Sequence, residues 1–366
     1  MDEFQRTLNP FGVCFTSMKM KYQLYDQSLK NLNVGEVKDC NVFINFESVM
    51  TSLSLIRDLE SKLLLERKFT YILESEMINL CAHYRRFFRD NGCNTKVYLY
   101  YTDLTSDTFS NFIFNDEYRS YYLNKFLKNP KFQLLGNNLV DTIIPRVKKI
   151  LEFIPGVYFI SAKNIEGSMV PLILAKENKD AKNFIITGER YDTQYTMYPS
   201  TFIAHFFKRS PLNLQIIGEP KQCVADLFKD NEQESDNNGY ELFRNPSFYS
   251  TLMSVMGDKK RSVDPLKGVG CKTVQKYLNN GIDKGLVTKD TNTIELISSV
   301  FPEEYHDLLI NNFRCISLES QYLNLTEQDR FNITNQIVDR SDYSSLLELN
   351  KSDYKDYPLM LTELTQ

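Results

Sequence analysis

Short apolar runs that stop abruptly at polar residues alternate along this chain with longer stretches of helical spacing. Asn41-Val-Phe-Ile-Asn-Phe46 is the first such run, and its near-continuous apolar character predicts a strand buried on both faces, as in a parallel sheet. Lys96-Val-Tyr-Leu-Tyr-Tyr101 predicts a second strand, ending at Thr102-Asp103. Val157-Tyr-Phe-Ile160 and Asn183-Phe-Ile-Ile-Thr187 predict two more, the latter stopping at Gly188-Glu189. Between them the spacing predicts helices over 70–88, 140–151 and 169–176. Strands alternating with helices predict an α/β fold with a mostly parallel central sheet flanked by helices on both faces. Ligands of such sheets bind in the crevice beyond the strand C-termini. Asn45, Asp103, Glu166 and Glu189 fall at or near those ends and are candidate site residues.

The second half of the chain reads differently. Residues 226–241 (DLFKDNEQESDNNGYE) are acidic and polar and read as a mobile insertion. Helical patterns dominate 303–337, and core-like periodicity fades after about Ser341. The expected organisation is an N-terminal extension (1–39), an α/β domain (40–225), an acidic insertion (226–245), a helical region (246–340) and a tail (341–366). No internal repeat is visible.

Within the helical region, Gly268-Val269-Gly270 precedes Lys272, Thr273 and a helix-like run from Val274 to Leu278. Two glycines flanking one apolar residue make a tight turn whose N–H groups open toward an anion at the start of a helix. Lys272 adds a point charge and Thr273 a hydroxyl, so the four residues form a candidate phosphate-backbone site. A glycine turn that merely caps a helix has the same short pattern. The basic cluster Lys259-Lys260-Arg261 just upstream favours an anionic partner.

Composition narrows the classes. The 366 residues are 42% hydrophobic and 25% charged with a net charge of −4, so any nucleic-acid contact must come from local basic patches. Seven scattered cysteines without Cys-x-x-Cys spacing imply reduced thiols, and three distant histidines argue against a zinc centre. No apolar run of 18 residues appears and Met1-Asp-Glu-Phe-Gln-Arg6 lacks a secretory pattern, so no membrane association and a cytoplasmic location (host cytoplasm if viral) are expected. Gly270-Cys-Lys-Thr273 lacks the leading glycine of a phosphate-binding P-loop, Glu303-Glu-Tyr-His306 lacks the second histidine of a metalloprotease motif, and no dinucleotide fingerprint occurs.

Over roughly residues 40–335 the order and spacing of these pieces resemble the FEN-like (PIN-domain) 5′ nuclease family, especially its phage RNase H-type 5′→3′ exonuclease branch. Members of that family carry an apolar strand ending in Asp, then Phe-Asp-Gly, Glu-Ala-Asp-Asp, Thr-Gly-Asp-x-Asp-x-x-Gln, and Gly-Asp-x-x-Asp-Asn before a helix–hairpin–helix turn. The strongest matches are Gly257-Asp258 running into Gly268-x-Gly270-x-Lys272-Thr273, and Thr187-Gly188-Glu189 with Gln194 in register. The resemblance implies a divalent-metal phosphodiesterase, with Mg²⁺ or Mn²⁺ held by a dense carboxylate cluster. Carried over residue by residue, the catalytic and metal-binding positions are Asp103, Glu166, Glu189 (one methylene longer than the family's Asp) and Asp258. Five other motif carboxylates are replaced, at Asn45, Ser168, Met169, Tyr191 and Arg261. Asn45 retains an amide oxygen, with Glu47 expected on the same strand face. Arg261 would repel a metal and pair with the remaining carboxylates, and Tyr191 would fill emptied space.

Tyr118-Arg119 with Lys125 and Lys128 falls where the family has a basic arch over a single strand, so Arg119 and Lys125 join Gly268, Gly270, Lys272 and Thr273 as candidate DNA contacts. A solvated amphipathic helix accounts for the same residues. The expected function is a DNA-binding member of the family with weakened or lost catalysis, recognising branched or single-strand/double-strand junction DNA in viral or phage replication or processing. An active Mg²⁺-dependent 5′→3′ exonuclease or flap endonuclease is the alternative, and a scaffold subunit without DNA binding the weaker one. Tyr357-Pro-Leu-Met-Leu-Thr362 is a candidate docking peptide for another replication protein.

Overall fold

Five parallel strands and one antiparallel strand form a single sheet in the order β3-β2-β1-β4-β5-β6. The computed structural model describes residues 38–49, 77–78, 80–81, 84–86, 88–103, 143–152, 154–163, 165–178, 180–187, 190–198, 200–206, 214–217, 246–258, 261, 263–286 and 292–338. Strand β1 (Asp39–Asn45) lies at the centre, paired in parallel with β2 (Asn94–Asp103) and β4 (Lys182–Thr187). Outside them run β3 (Val157–Lys163) and β5 (Thr201–Phe206), also parallel, and β6 (Leu214–Ile217) returns antiparallel on β5. The last six residues of β1 and the last five of β4 are buried, as continuous apolar runs covered on both faces should be. The predicted mostly parallel α/β architecture is what the chain adopts.

β5 and β6 were not foreshadowed by the apolar pattern. Among its described residues the crossover from β4 to β5 contains a 3-10 helix, Arg190–Met197, and no α-helix, so the alternation of strand and helical periodicity is missing there.

Side-chain alternation gives the sheet two distinct faces. Phe43, Tyr98, Tyr100, Tyr158, Ile160, Ile185 and Ile203 point to one. There, Phe43 stacks on Tyr98 at 5.0 Å and Tyr98 on Tyr158 at 5.2 Å. The other face carries Phe46, Tyr101 and Phe159 in mutual ring contact, and Phe88, from helical residues within 77–90, packs 4.6 Å from Phe184.

Helix α1 (Ile144–Leu151) leads into β3. After β3, α2 (Val170–Glu177) covers the first face with Val170, Leu172, Ile173 and Leu174. The helical region supplies α3 (Pro246–Met256), α4 (Cys271–Asp283), α5 (Thr293–Val300), α6 (His306–Ile316), α7 (Leu318–Leu323) and α8 (Glu327–Thr334). Leu318 and Ile333 return to the sheet core, whereas Leu252, Val255, Leu266, Val274, Leu278, Leu296, Ile297 and Leu309 build a second core. Capping boxes at Asn292/Glu295 and Thr326/Asp329 fix the starts of α5 and α8. Beyond α8, the Gln336 carboxamide receives the Ser161 N–H at 2.8 Å and donates to the Ser161 carbonyl at 3.0 Å, pairing backbone groups on the outer side of β3. Residues 1–37, the acidic stretch 226–245 and the tail 341–366 lie outside the described residues.

Candidate functional site at the strand ends

The crevice beyond the parallel strands is floored by short polar contacts. Asn45 ends β1, and its carboxamide oxygen accepts the Ser48 N–H at 2.8 Å, capping the start of the helical residues 46–49. Because the chain turns there, Glu47 does not share a strand face with Asn45 as its spacing suggested. Glu47 is instead 5% exposed in that turn, and its carboxylate accepts the Thr102 N–H at 2.7 Å. Ser48 Oγ lies 3.4 Å from Thr187 Oγ1, which donates to Asp192 at 2.6 Å. Asp192 is fully buried.

Glu166 enters the crevice from the turn after β3. It caps the 3-10 turn Gly167–Met169, whose Gly167 N–H donates to Thr102 Oγ1 at 3.0 Å. A Cβ at Gly167 would stand 3.0 Å from that hydroxyl and 3.1 Å from the Tyr101 carbonyl carbon, so a side chain here would require the end of β2 to give by a few tenths of an ångström. Asp258 arrives from the other direction, on the hairpin after α3. Gly257 turns the chain with φ +74°, and Asp258 and Val263 exchange backbone hydrogen bonds of 2.9 and 3.0 Å.

Arg261, between them, joins the two. Its Nη2 donates to Glu166 Oε1 at 2.6 Å and its Nη1 to Asp258 Oδ2 at 3.0 Å. Its guanidinium carbon stands 3.4 Å from the centroid of the Tyr191 ring. The Arg261 and Glu166 side chains are only 4% and 7% exposed. A planar, permanently charged fork suits this place: two edges meet carboxylates and one face meets an aromatic ring. Burial takes Arg261 and Glu166 largely out of water, so the pairing offsets a desolvation cost that neither would tolerate alone.

This donor set does not fit a divalent ion. The carboxylate oxygens that Mg²⁺ or Mn²⁺ would need from Glu166 and Asp258 face a fixed positive charge, and no group of three or more His, Cys, Asp or Glu among the described residues is arranged to hold a metal.

Asp103 is the last residue of β2. It accepts from Ser161 Oγ at 3.1 Å, and Ser161 Oγ also lies 3.2 Å from the Tyr101 hydroxyl. Asp103 thus shares the face of Tyr101, while Thr102, which meets Gly167 beside Glu166, points to the other. The structure therefore brings Glu166 and Asp258 together through Arg261, while Asp103 accepts from Ser161 on β3. Glu189, Arg119 and Lys125 lie outside the described residues.

Gly268 and Gly270 form the expected turn. Gly268 has φ +76°, and the Gly270 carbonyl accepts the Thr273 and Val274 N–H groups at 2.9 and 3.1 Å, starting α4. A Cβ at either glycine would meet nothing within 4 Å, so this helix start is open. The first N–H groups of such a helix have no intrahelical partner. Thr273 is partly exposed beside them.

The role of Gln194 was not legible beyond its spacing. Buried to 2% exposure, its oxygen accepts Ser250 Oγ at 2.7 Å and the Leu318 N–H at 3.1 Å. Its nitrogen donates to the Tyr191 and Ile316 carbonyls at 3.2 and 3.0 Å, tying the 3-10 helix to α3 and to the α6–α7 junction.

No family model and no curated protein matches the chain. Among solved structures, the phage T5 D15 protein co-crystallised with metal ions is similar at 11% identity and TM-score 0.49, over 85% of this chain and 100% of that one. The catalytic core of Rad2 in complex with DNA substrate is similar at 12% identity and TM-score 0.43, over 91% and 95%. Human GEN1 in complex with Holliday junction DNA is similar at 10% identity and TM-score 0.42, over 90% and 73%.

Proposed function

We propose that this chain is a DNA-binding protein of the 5′ nuclease type in which a buried ion-pair cluster has replaced the phosphodiester-cleaving centre. The observation that carries the reading is Arg261: its guanidinium occupies the crevice between Glu166 and Asp258 and lies against Tyr191. A site that must bind cations cannot keep a fixed guanidinium on two of its ligands. The DNA grip is assigned to the open turn at Gly268 and Gly270 with Lys272 and Thr273, whose helix start suits a phosphate. Arg119 and Lys125 are proposed to guide the single strand. The substrate class is branched or single-strand/double-strand junction DNA, in viral or phage replication or processing, with the tail available to a protein partner. No helix among the described residues is long and apolar enough to cross a membrane.

The test is an assay on labelled 5′-flap and nicked duplex DNA with Mg²⁺ and with Mn²⁺, beside an Asp103→Ala/Asp258→Ala control. Saturable, salt-sensitive binding without cleavage in either metal is expected. Cleavage that disappears in the control would overturn the loss of catalysis, and absence of binding at low salt would overturn the DNA reading.

A further inference from the structure

The cluster around Arg261 has a mechanical consequence. Residues 257–270 leave α3, form the Asp258–Val263 bridge and end in the glycine turn that starts α4. On the side of the helical region this segment is held by the Leu266 N–H on the Val255 carbonyl at 2.8 Å and by the Asn312 carboxamide on the Asp264 carbonyl at 3.1 Å. On the side of the sheet it is held through Arg261, which reaches Glu166 at the end of the β3 turn. Glu166 is itself fixed, because its neighbour Gly167 is hydrogen-bonded to Thr102 on β2. A rigid path thus runs from the sheet through Glu166, Arg261 and Asp258 to the backbone that carries the turn.

We infer that Arg261 is a built-in cation that positions the 257–270 segment on the strand ends, so that the placement of the glycine turn does not depend on any divalent ion. Its guanidinium bridges carboxylates from two parts of the chain, as a metal ion would, but it is covalently part of the protein and cannot be removed by chelation. Arg261 is a positioning residue: at 4% side-chain exposure it cannot touch DNA. The DNA part of this inference rests on the DNA-binding reading above, whereas the positioning part does not.

Hydrogen exchange at the Asp258 and Val263 amides, which form the bridge, reads the positioning directly. In the wild type their protection should be the same in EDTA and in millimolar Mg²⁺. Arg261→Gln, which keeps bulk and donors but loses the charge, should lower protection there by about a hundredfold, because one removed partner leaves buried carboxylates uncompensated. Should that variant fail to fold, Glu166→Gln keeps the Arg261–Asp258 pair, severs the charged link to the sheet, and should lower protection at the same amides by about tenfold.

Flap-DNA affinity supplies the second readout. Arg261→Gln should weaken binding by about tenfold at every salt concentration with an unchanged salt slope, since a lost phosphate contact would reduce the slope by about 0.9. Unchanged protection in both variants, or wild-type protection that falls in EDTA, overturns the inference. If the wild type binds no DNA, the DNA reading fails, while the exchange data still decide whether Arg261 positions the segment.

Discussion

Replacing Gln194 with Met removes four hydrogen bonds while nearly preserving side-chain length and volume. The buried amide uses its whole capacity: two acceptor contacts, from Ser250 Oγ at 2.7 Å and the Leu318 N–H at 3.1 Å, and two donor contacts, to the Tyr191 and Ile316 carbonyls at 3.2 and 3.0 Å. A buried group left without its partner costs about 1–3 kcal/mol. The Leu318 N–H, at the start of α7, bears most of that; the Ser250 hydroxyl can turn, and the carbonyls lose one of two acceptor sites. We expect Gln194→Met to destabilise by about 3–5 kcal/mol, read as a fall in the guanidinium midpoint at unchanged slope. Gln194→Glu should be worse at neutral pH, because a carboxylate oxygen would then face two carbonyl oxygens, and its deficit should shrink on acidification as one donor returns. A loss below about 1 kcal/mol for Gln194→Met would refute the argument that this amide joins the 3-10 helix to α3 and the α6–α7 junction.

Two glycines of similar φ should behave differently on replacement by Ala. Gly257→Ala puts a Cβ 2.6 Å from both the Pro265 nitrogen and the Val263 carbonyl oxygen and should cost well over 2 kcal/mol by denaturant titration, whereas Gly268→Ala meets open space and should cost only about 1–2 kcal/mol of backbone strain. Lys272→Ala with Thr273→Ala should weaken flap-DNA binding and lower the salt slope by about one, measured by anisotropy across a salt series; an unchanged slope removes the turn from the DNA contact. Burial, followed by the hydrogen bond to Glu319, raises the Tyr198 hydroxyl pKa well above the phenol range. The unfolded chain, ionising near about pH 10, gains by deprotonation where the folded chain does not, so stability is level below that pH and falls above it. Tyr198→Phe should make the alkaline fall shallower in a denaturation series from pH 8 to 11, and the remainder belongs to buried groups such as Tyr195, Cys40 and Cys81, whose pKa values burial also raises.

The first four strands were legible because each is an apolar run that stops at a polar residue, a pattern that burial on two faces imposes. β5 was not, because a 3-10 crossover leaves no helical periodicity to set against it. Asn45 was correctly seen at a strand end, but its capping of Ser48, which takes Glu47 off the strand, depends on the turn that follows. Asp103 shows a similar limit. Its place at the end of β2 is readable from the pattern, but its side depends on Thr102 facing Gly167, a contact made by a turn 65 residues away. The pairing of Arg261 with the remaining carboxylates was expected from its charge at a position where the resemblance puts a metal ligand. That it reaches Glu166 and Asp258 together depends on the left-handed turn at Gly257 and the bridge that follows.

That pairing changes what the surviving carboxylates mean. Counted along the sequence, Glu166 and Asp258 argue for residual catalysis, since they occupy positions that the resemblance assigns to metal ligands. Beside a buried guanidinium they have a different reason to be there. Removing either would leave Arg261 with one carboxylate and one N–H edge without its acceptor in a water-poor crevice, a loss of about 1–3 kcal/mol. Removing Arg261 would leave two carboxylates in contact. Substitution at any one of the three positions is therefore costly unless the others change with it. The retained acids and the intrusive base form one unit, and their presence does not by itself report a working nuclease. The two readings predict opposite responses to Arg261→Asp. If Glu166 and Asp258 are remnants of a metal site, that change should allow Mn²⁺ to bind; if they serve only as counter-ions, it should unfold the hairpin whatever ion is added.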